Sequence, residues 1–158
     1  MPLLIDVLRH GKAQPSSPTG DRGRALTEEG RTALRSVASR LGAAGAAPSL
    51  MFTSKLLRAR QSARIVFSAL HPPPALHELD SLEPEATVES LLFELSAHDA
   101  LSGHILLVGH MPQLGNLCAR LTEETVELST ATLVRIAIDG ARMAGGGRVL
   151  FTLRPEGH

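Results

Sequence analysis

The side chains best suited to chemistry stand at the ends of hydrophobic runs. LLIDVL (3–8) stops at Arg9, His10 and Gly11, and HILLVG (104–109) stops at His110. Between them, LMFT (50–53) is followed by Ser54, Lys55 and, one helical turn on, Arg58. If these runs are parallel strands, their carboxyl ends share one edge of a sheet, where open α/β folds bind ligands. Arg9, His10, Arg58 and His110 then meet. Arginine forks match a tetrahedral oxyanion. A helix opening at Pro112 adds free backbone N–H groups, with the Met111 backbone beside them. Gly11 is expected to let a ligand approach the main chain. A neutral imidazole, with an ordinary pKa of about 6.5, is a nucleophile toward phosphorus and forms a phosphohistidine. A metal centre fits the set poorly. It would want carboxylates or a third histidine, and the arginines would repel a divalent cation. No metal and no cofactor are expected.

The elements that must position these groups follow from pattern. Leu3–Leu8 reads as a strand, and the Pro-, Ser- and Gly-rich stretch 12–26 as a surface loop. Thr27 is a plausible N-cap, followed by Glu28 and Glu29 at the positive helix end. Ala33, Leu34, Val37, Ala38 and Leu41 then repeat at helical spacing. Leu50–Thr53 is a second strand. Ser54 reads as the cap of a second helix with Leu56, Ala59, Ala63, Val66, Phe67 and Leu70 on one face, ended by the prolines at 72–74. Ala75–Leu79 is a weak third strand. Pro84 is expected to open a third helix carrying Val88, Leu91, Leu92 and Leu95. His104–Gly109 is apolar throughout its centre, as a strand covered on both faces should be. Pro112 is expected at the first position of a fourth helix with Leu114, Leu117, Cys118 and Leu121 inward. Thr132–Ile138 and Arg148–Leu153 alternate like strands around DGARMAGGG, which predicts a hairpin. The order predicts a layered α/β domain, one domain over residues 1–158: a mostly parallel central sheet flanked by helices, with an antiparallel C-terminal hairpin.

Composition excludes other classes. The net charge is +0 over 158 residues, against a nucleic-acid binder and against a polybasic membrane-surface protein. Arginine outnumbers lysine fourteen to two, which suits bidentate phosphate binding. The single cysteine, Cys118, forms no intramolecular disulfide and reads as a core residue. No signal peptide or bilayer-length apolar run is seen, so a cytoplasmic location is expected.

Four stretches together resemble the histidine phosphatase superfamily, most nearly the small bacterial phosphohistidine phosphatases of the SixA type. LRHGKA resembles its Arg-His-Gly signature, and RALTEEG its Arg-x-Leu-Thr-x-x-Gly segment. TSKLLRARQSA is similar to its Ser-Pro-x-x-Arg-Ala-x-Gln-Thr segment, and LLVGHMPQL resembles the strand bearing its second histidine. Lys55 stands where the pattern has proline, and Ser62 where it has threonine. The resemblance implies a phosphoglycerate mutase-like fold. It makes His10 the nucleophile, and Arg9, Arg58 and His110 the holders of the phosphoryl oxygens. It selects Arg58 over Arg60 and Arg64, which spacing leaves open.

Larger members of this family protonate the leaving group with a carboxylic acid near the third strand. Here the connection from strand three to strand four is short, and Glu78 is the best-placed candidate. The implied substrate is a phosphohistidine on a protein, whose imidazole leaves more easily than an alkoxide. A small phosphorylated metabolite, handled by a phosphomonoesterase or mutase, is the alternative. A phosphate-pocket module that binds phosphoprotein without hydrolysis is the alternative of another class. A phosphate ion is an expected occupant of the pocket. His77 reads as structural, and His71, His98, His104 and His158 join no constellation.

Overall fold

The structure is a computed structural model that describes residues 3–139 and 143–155. Its first apolar run forms β1 (Leu3–Arg9). The described elements then follow as α1 (Glu28–Ala43), β2 (Leu50–Thr53), α2 (Leu57–Phe67), β3 (Ala75–Glu78), α3 (Val88–Ala97), β4 (His104–Gly109), α4 (Gln113–Thr122), β5 (Leu133–Ile138) and β6 (Gly147–Leu153). The sheet order is β3-β2-β4-β1-β5-β6. β3, β2, β4 and β1 run parallel, while β5 pairs antiparallel with β1 and with β6. Of the expected hairpin loop, Gly140 in the Asp-Gly turn lies outside the described residues.

Strand alternation sends side chains to two cores. Leu8, Met51, Leu106 and Val108 pack with Leu34, Val37 and Leu41 of α1 and Ala59, Ala63 and Val66 of α2. Ile5, Val7, Phe52, Ile105 and Leu107 pack on the other face with Leu91 and Leu95 of α3 and Leu114, Leu117 and Leu121 of α4. Cys118 is in that second core, and burial pushes its thiol up to about 12. β1 and β4 are neighbours, yet α1 leaves to one face and α4 to the other. Their departing chains open a crevice between the two strand ends, the switch point at which such sheets place a ligand.

Three helix starts differ from the sequence reading. Thr27 does cap α1, its hydroxyl accepting the Gly30 amide. Pro84 does not open α3; it sits in a turn closed by the Ala86 amide on the Glu83 carbonyl, a position that suits its fixed φ. Thr87 caps α3 instead, accepting from the Ser90 amide. Pro112 is the N-cap of α4 rather than its first helical residue. Ser54 does not cap α2. The cap position falls to Leu56, with no side-chain bond, and the Ser54 hydroxyl accepts the Leu56 amide just ahead of the helix.

Two histidines given no role from sequence have one. His104 Nε2 lies 2.6 Å from Asp6 Oδ2, and Arg135 holds the same carboxylate with two bonds of 2.7 and 2.9 Å. Asp6 is fully buried, and its charge is tolerated there because these two partners satisfy it. His98 packs edge-on against Phe52 at 5.4 Å, and His77 stacks on the same ring at 5.6 Å. His77 is therefore structural, as read.

Candidate active site

Register delivers the two histidines to one place. Arg9 pairs with Gly109 across β1 and β4, and the ladder continues with the His10 amide donating to the Gly109 carbonyl at 3.1 Å. The next side chains, His10 and His110, lie with ring centroids 5.0 Å apart. Both are buried. Arg58, on the first turn of α2, is buried too, and its Nη1 donates to the Asp21 carbonyl at 2.9 Å. Its Nη2 sits 3.3 Å from the Asp21 carboxylate. Arg9 donates from Nη1 to the Leu128 carbonyl at 3.0 Å. In both arginines the buried Nε has no protein partner. Buried donors without partners are uncommon in folded proteins and mark where a ligand would bond.

The histidine rings are set by their neighbours. His10 Nδ1 lies 2.7 Å from its own Gly11 carbonyl, an acceptor, so Nδ1 carries the proton and Nε2 the free lone pair. His110 Nε2 lies 2.8 Å from the Ser54 hydroxyl, and its buried Nδ1 has no protein partner. Burial, then the positive charges of Arg58, Arg9 and Arg24, lower the His10 pKa to about 4. Burial, then His10 and Arg58, lower that of His110 to about 3. Both imidazoles are neutral at physiological pH beside two guanidinium groups.

Gly11 serves a different purpose from the one expected. A Cβ there would meet Leu34 Cδ1 at 2.7 Å and the Gly30 carbonyl at 3.1 Å. A Cβ on Gly30 would meet the Lys12 carbonyl at 2.3 Å. The two glycines let α1 lie flat on the chain leaving His10. The remaining motif residues fasten the same region. Gly11 donates its amide to Ser62 Oγ, which in turn donates to the Arg58 carbonyl. Gln61 accepts the Leu26 amide at 2.8 Å.

Glu78 is not drawn into this cluster. Its carboxylate pairs with Arg60 of α2 at 3.0 Å, and among the described residues it has no bond to His10, Arg9, Arg58 or His110. Asp21 is the carboxylate that reaches the site. It lies in the stretch read as a surface loop. Both ends of that loop are pinned beside His10, by the Ala13–Leu26 bridge and the Gln14 amide on the Ala25 carbonyl. No residue pattern marked Asp21, because this closure depends on contacts that spacing does not show. A cavity of about 660 Å³ lies apart from the histidine pair, against the start of α1 and lined by Lys12, Thr32, Ser129 and Pro155 among others. No group of three or more His, Cys, Asp or Glu able to hold a metal ion occurs among the described residues.

The model of the histidine phosphatase superfamily, branch 1, matches residues 5–91. The chain belongs to the histidine phosphatase superfamily. An uncharacterized protein of Picosynechococcus sp. strain PCC 7002 is 32% identical over 148 residues, 89% of this chain and 88% of its own length. Among solved structures, the protein histidine phosphatase SixA complexed with tungstate superposes with a TM-score of 0.84 at 26% identity, covering 96% of this chain and 97% of that one. A putative phosphohistidine phosphatase SixA from Agrobacterium tumefaciens shares the fold, with a TM-score of 0.82 at 22% identity over 98% and 99% of the two chains. The phosphoglycerate mutase-like sheet, parallel with antiparallel C-terminal strands, is thus that of SixA-like histidine phosphatases. No helix among the described residues is long and apolar enough to cross a membrane.

Proposed function

We propose that this protein is a phosphatase that works through a phosphohistidine on His10, without a metal, and that its substrate is a phosphohistidine on another protein. The observation that carries the mechanism is the pairing of a neutral, proton-directed His10 with unsatisfied buried donors around it. His10 Nε2 attacks phosphorus while the bond to the leaving nitrogen breaks. Its Nδ1 keeps its proton and donates it in a hydrogen bond to the Gly11 carbonyl, which supports the positive charge the ring acquires. Arg9, Arg58, His110 and the Met111 amide stabilise the equatorial oxygens. Water then attacks phospho-His10, phosphate departs, and neutral His10 returns. The arginines supply the charge a metal would otherwise bring.

The substrate class rests on the leaving group. An imidazole protonated on its other nitrogen leaves without an acid, and Glu78 is tied to Arg60. Likeness to a SixA structure supports the same reading. Phosphate release from a phosphohistidine-bearing protein domain and from an aryl phosphate, both in EDTA, tests it. Fast release from the first and slow release from the second is expected, with no turnover in His10→Ala. Turnover in that variant would end the mechanism. The reverse preference would move the substrate to phosphomonoesters, and loss of that activity in Glu78→Gln would then mark the acid. Tight binding of phosphoprotein with no release would leave a binding module.

A further inference from the structure

We infer that Ser54 is a positioning residue: its hydroxyl donates to His110 Nε2 and so holds His110 as the tautomer whose Nδ1–H faces the phosphoryl oxygens. The inference rests on the phosphatase reading for its purpose, but its geometry stands without a substrate. Ser54 is fully buried, and its Oγ already accepts the Leu56 amide at 3.1 Å. A hydroxyl has one proton to give and two lone pairs. The remaining neighbour of Oγ is His110 Nε2 at 2.8 Å. If Nε2 carried the proton, Oγ would receive two donors, and its own proton would be buried with no acceptor. His110 Nδ1 would then present a lone pair, from a buried atom with no protein partner, to the negative oxygens of a phosphoryl group. Donation from Ser54 removes both penalties at once.

The two active-site rings are thereby set in a complementary way. The Gly11 carbonyl accepts the Nδ1–H of His10, which leaves Nε2 unprotonated for attack. The Ser54 hydroxyl fills Nε2 of His110 and leaves its Nδ1 as a donor. The same serine, through the Leu56 amide, holds the start of α2, one turn from Arg58.

Long-range ¹H–¹⁵N spectra of ¹⁵N-histidine protein at neutral pH read the tautomer directly. His110 is expected to carry its proton on Nδ1 in the wild type. In Ser54→Ala the two nitrogens should average or exchange character. Orthovanadate inhibition should weaken about tenfold and kcat fall about 10- to 100-fold, with Ser54→Thr restoring all three. An Nε2-protonated His110 in the wild type would overturn the inference. So would an unchanged tautomer in Ser54→Ala, even with reduced activity, since a merely structural serine would lower activity without moving the proton. A wrong substrate assignment changes the turnover numbers and leaves the spectra as stated, so the two failures are distinguishable.

Discussion

At the scale of single residues, the site is an exercise in keeping neutral rings beside fixed positive charge. His10 and His110 lose their proton affinity mainly through burial, and His10 adds to the cost of ionising His110. Neither is expected to titrate in the ordinary range near pH 6.5. Histidine NMR titration should place both transitions below about pH 5; a midpoint near 6.5 for either would contradict the buried geometry. The Nε of Arg58 is buried without a protein partner, while Asp21 occupies its outer nitrogens. Arg58→Ala should lower kcat by about 100- to 1,000-fold, the usual cost of a lost oxyanion donor. Steady-state kinetics on the phosphohistidine substrate checks this. A tenfold effect or less would mean that Arg9 and His110 carry the oxygens alone.

At the scale of elements, the close approach of α1 to the chain after β1 is what aims His10. Gly30, one turn into that helix, lies under the Lys12 carbonyl, and backbone on both sides leaves little room to adjust. Gly30→Ala should improve intrinsic helix propensity by up to about 1 kcal/mol. The clash should nevertheless make the protein less stable, by about 2 kcal/mol net. Urea denaturation measures the sign, and a more stable variant would show that the contact relaxes freely. Activity should fall with it, because Lys12 and Gly11 must move and His10 is bonded to the Gly11 carbonyl.

At the scale of the whole molecule, two buried polar clusters sit in one sheet, and they answer to acid and to mutation differently. The histidines bind protons more readily unfolded than folded. Below about pH 6.5 the unfolded chain therefore takes up protons first. The stability they confer is complete above that pH and drains away as the pH falls toward their folded values of about 4 and about 3. Each contributes at most about 1.4 kcal/mol per pH unit to the slope. Urea unfolding from pH 7 to pH 4 should show stability falling, less steeply in His10→Ala. A flat profile would count against it. The Asp6–Arg135–His104 group lies away from the chemistry. Asp6 raises the pKa of Arg135, chiefly through their hydrogen bonds. Asp6→Ala should cost about 3–5 kcal/mol by stranding that guanidinium. Replacing Asp6 and Arg135 together with leucine should recover most of the loss, and a double variant as unstable as the single would show that the pair does more than satisfy itself.

Much of this protein was legible in its residues. Apolar period and turn chemistry marked six strands and four helices, because those signals are local. The Arg-His-Gly triplet and His110 could be placed together because parallel strands put their carboxyl ends on one edge; the family resemblance chose Arg58 among the arginines of the second helix. What lay beyond reach was everything decided by contacts between segments distant in sequence. Ser54 looked like a helix cap until β4 brought His110 to its hydroxyl. Gly11 looked like room for a ligand until α1 filled the space. Asp21 reaches Arg58, and Glu78 instead meets Arg60, through pairings no spacing predicts. Sequence period determines which residues face a core and where strands end. Which buried donor meets which acceptor is settled by the tertiary structure, since hydrogen bonds demand partners within about 3 Å.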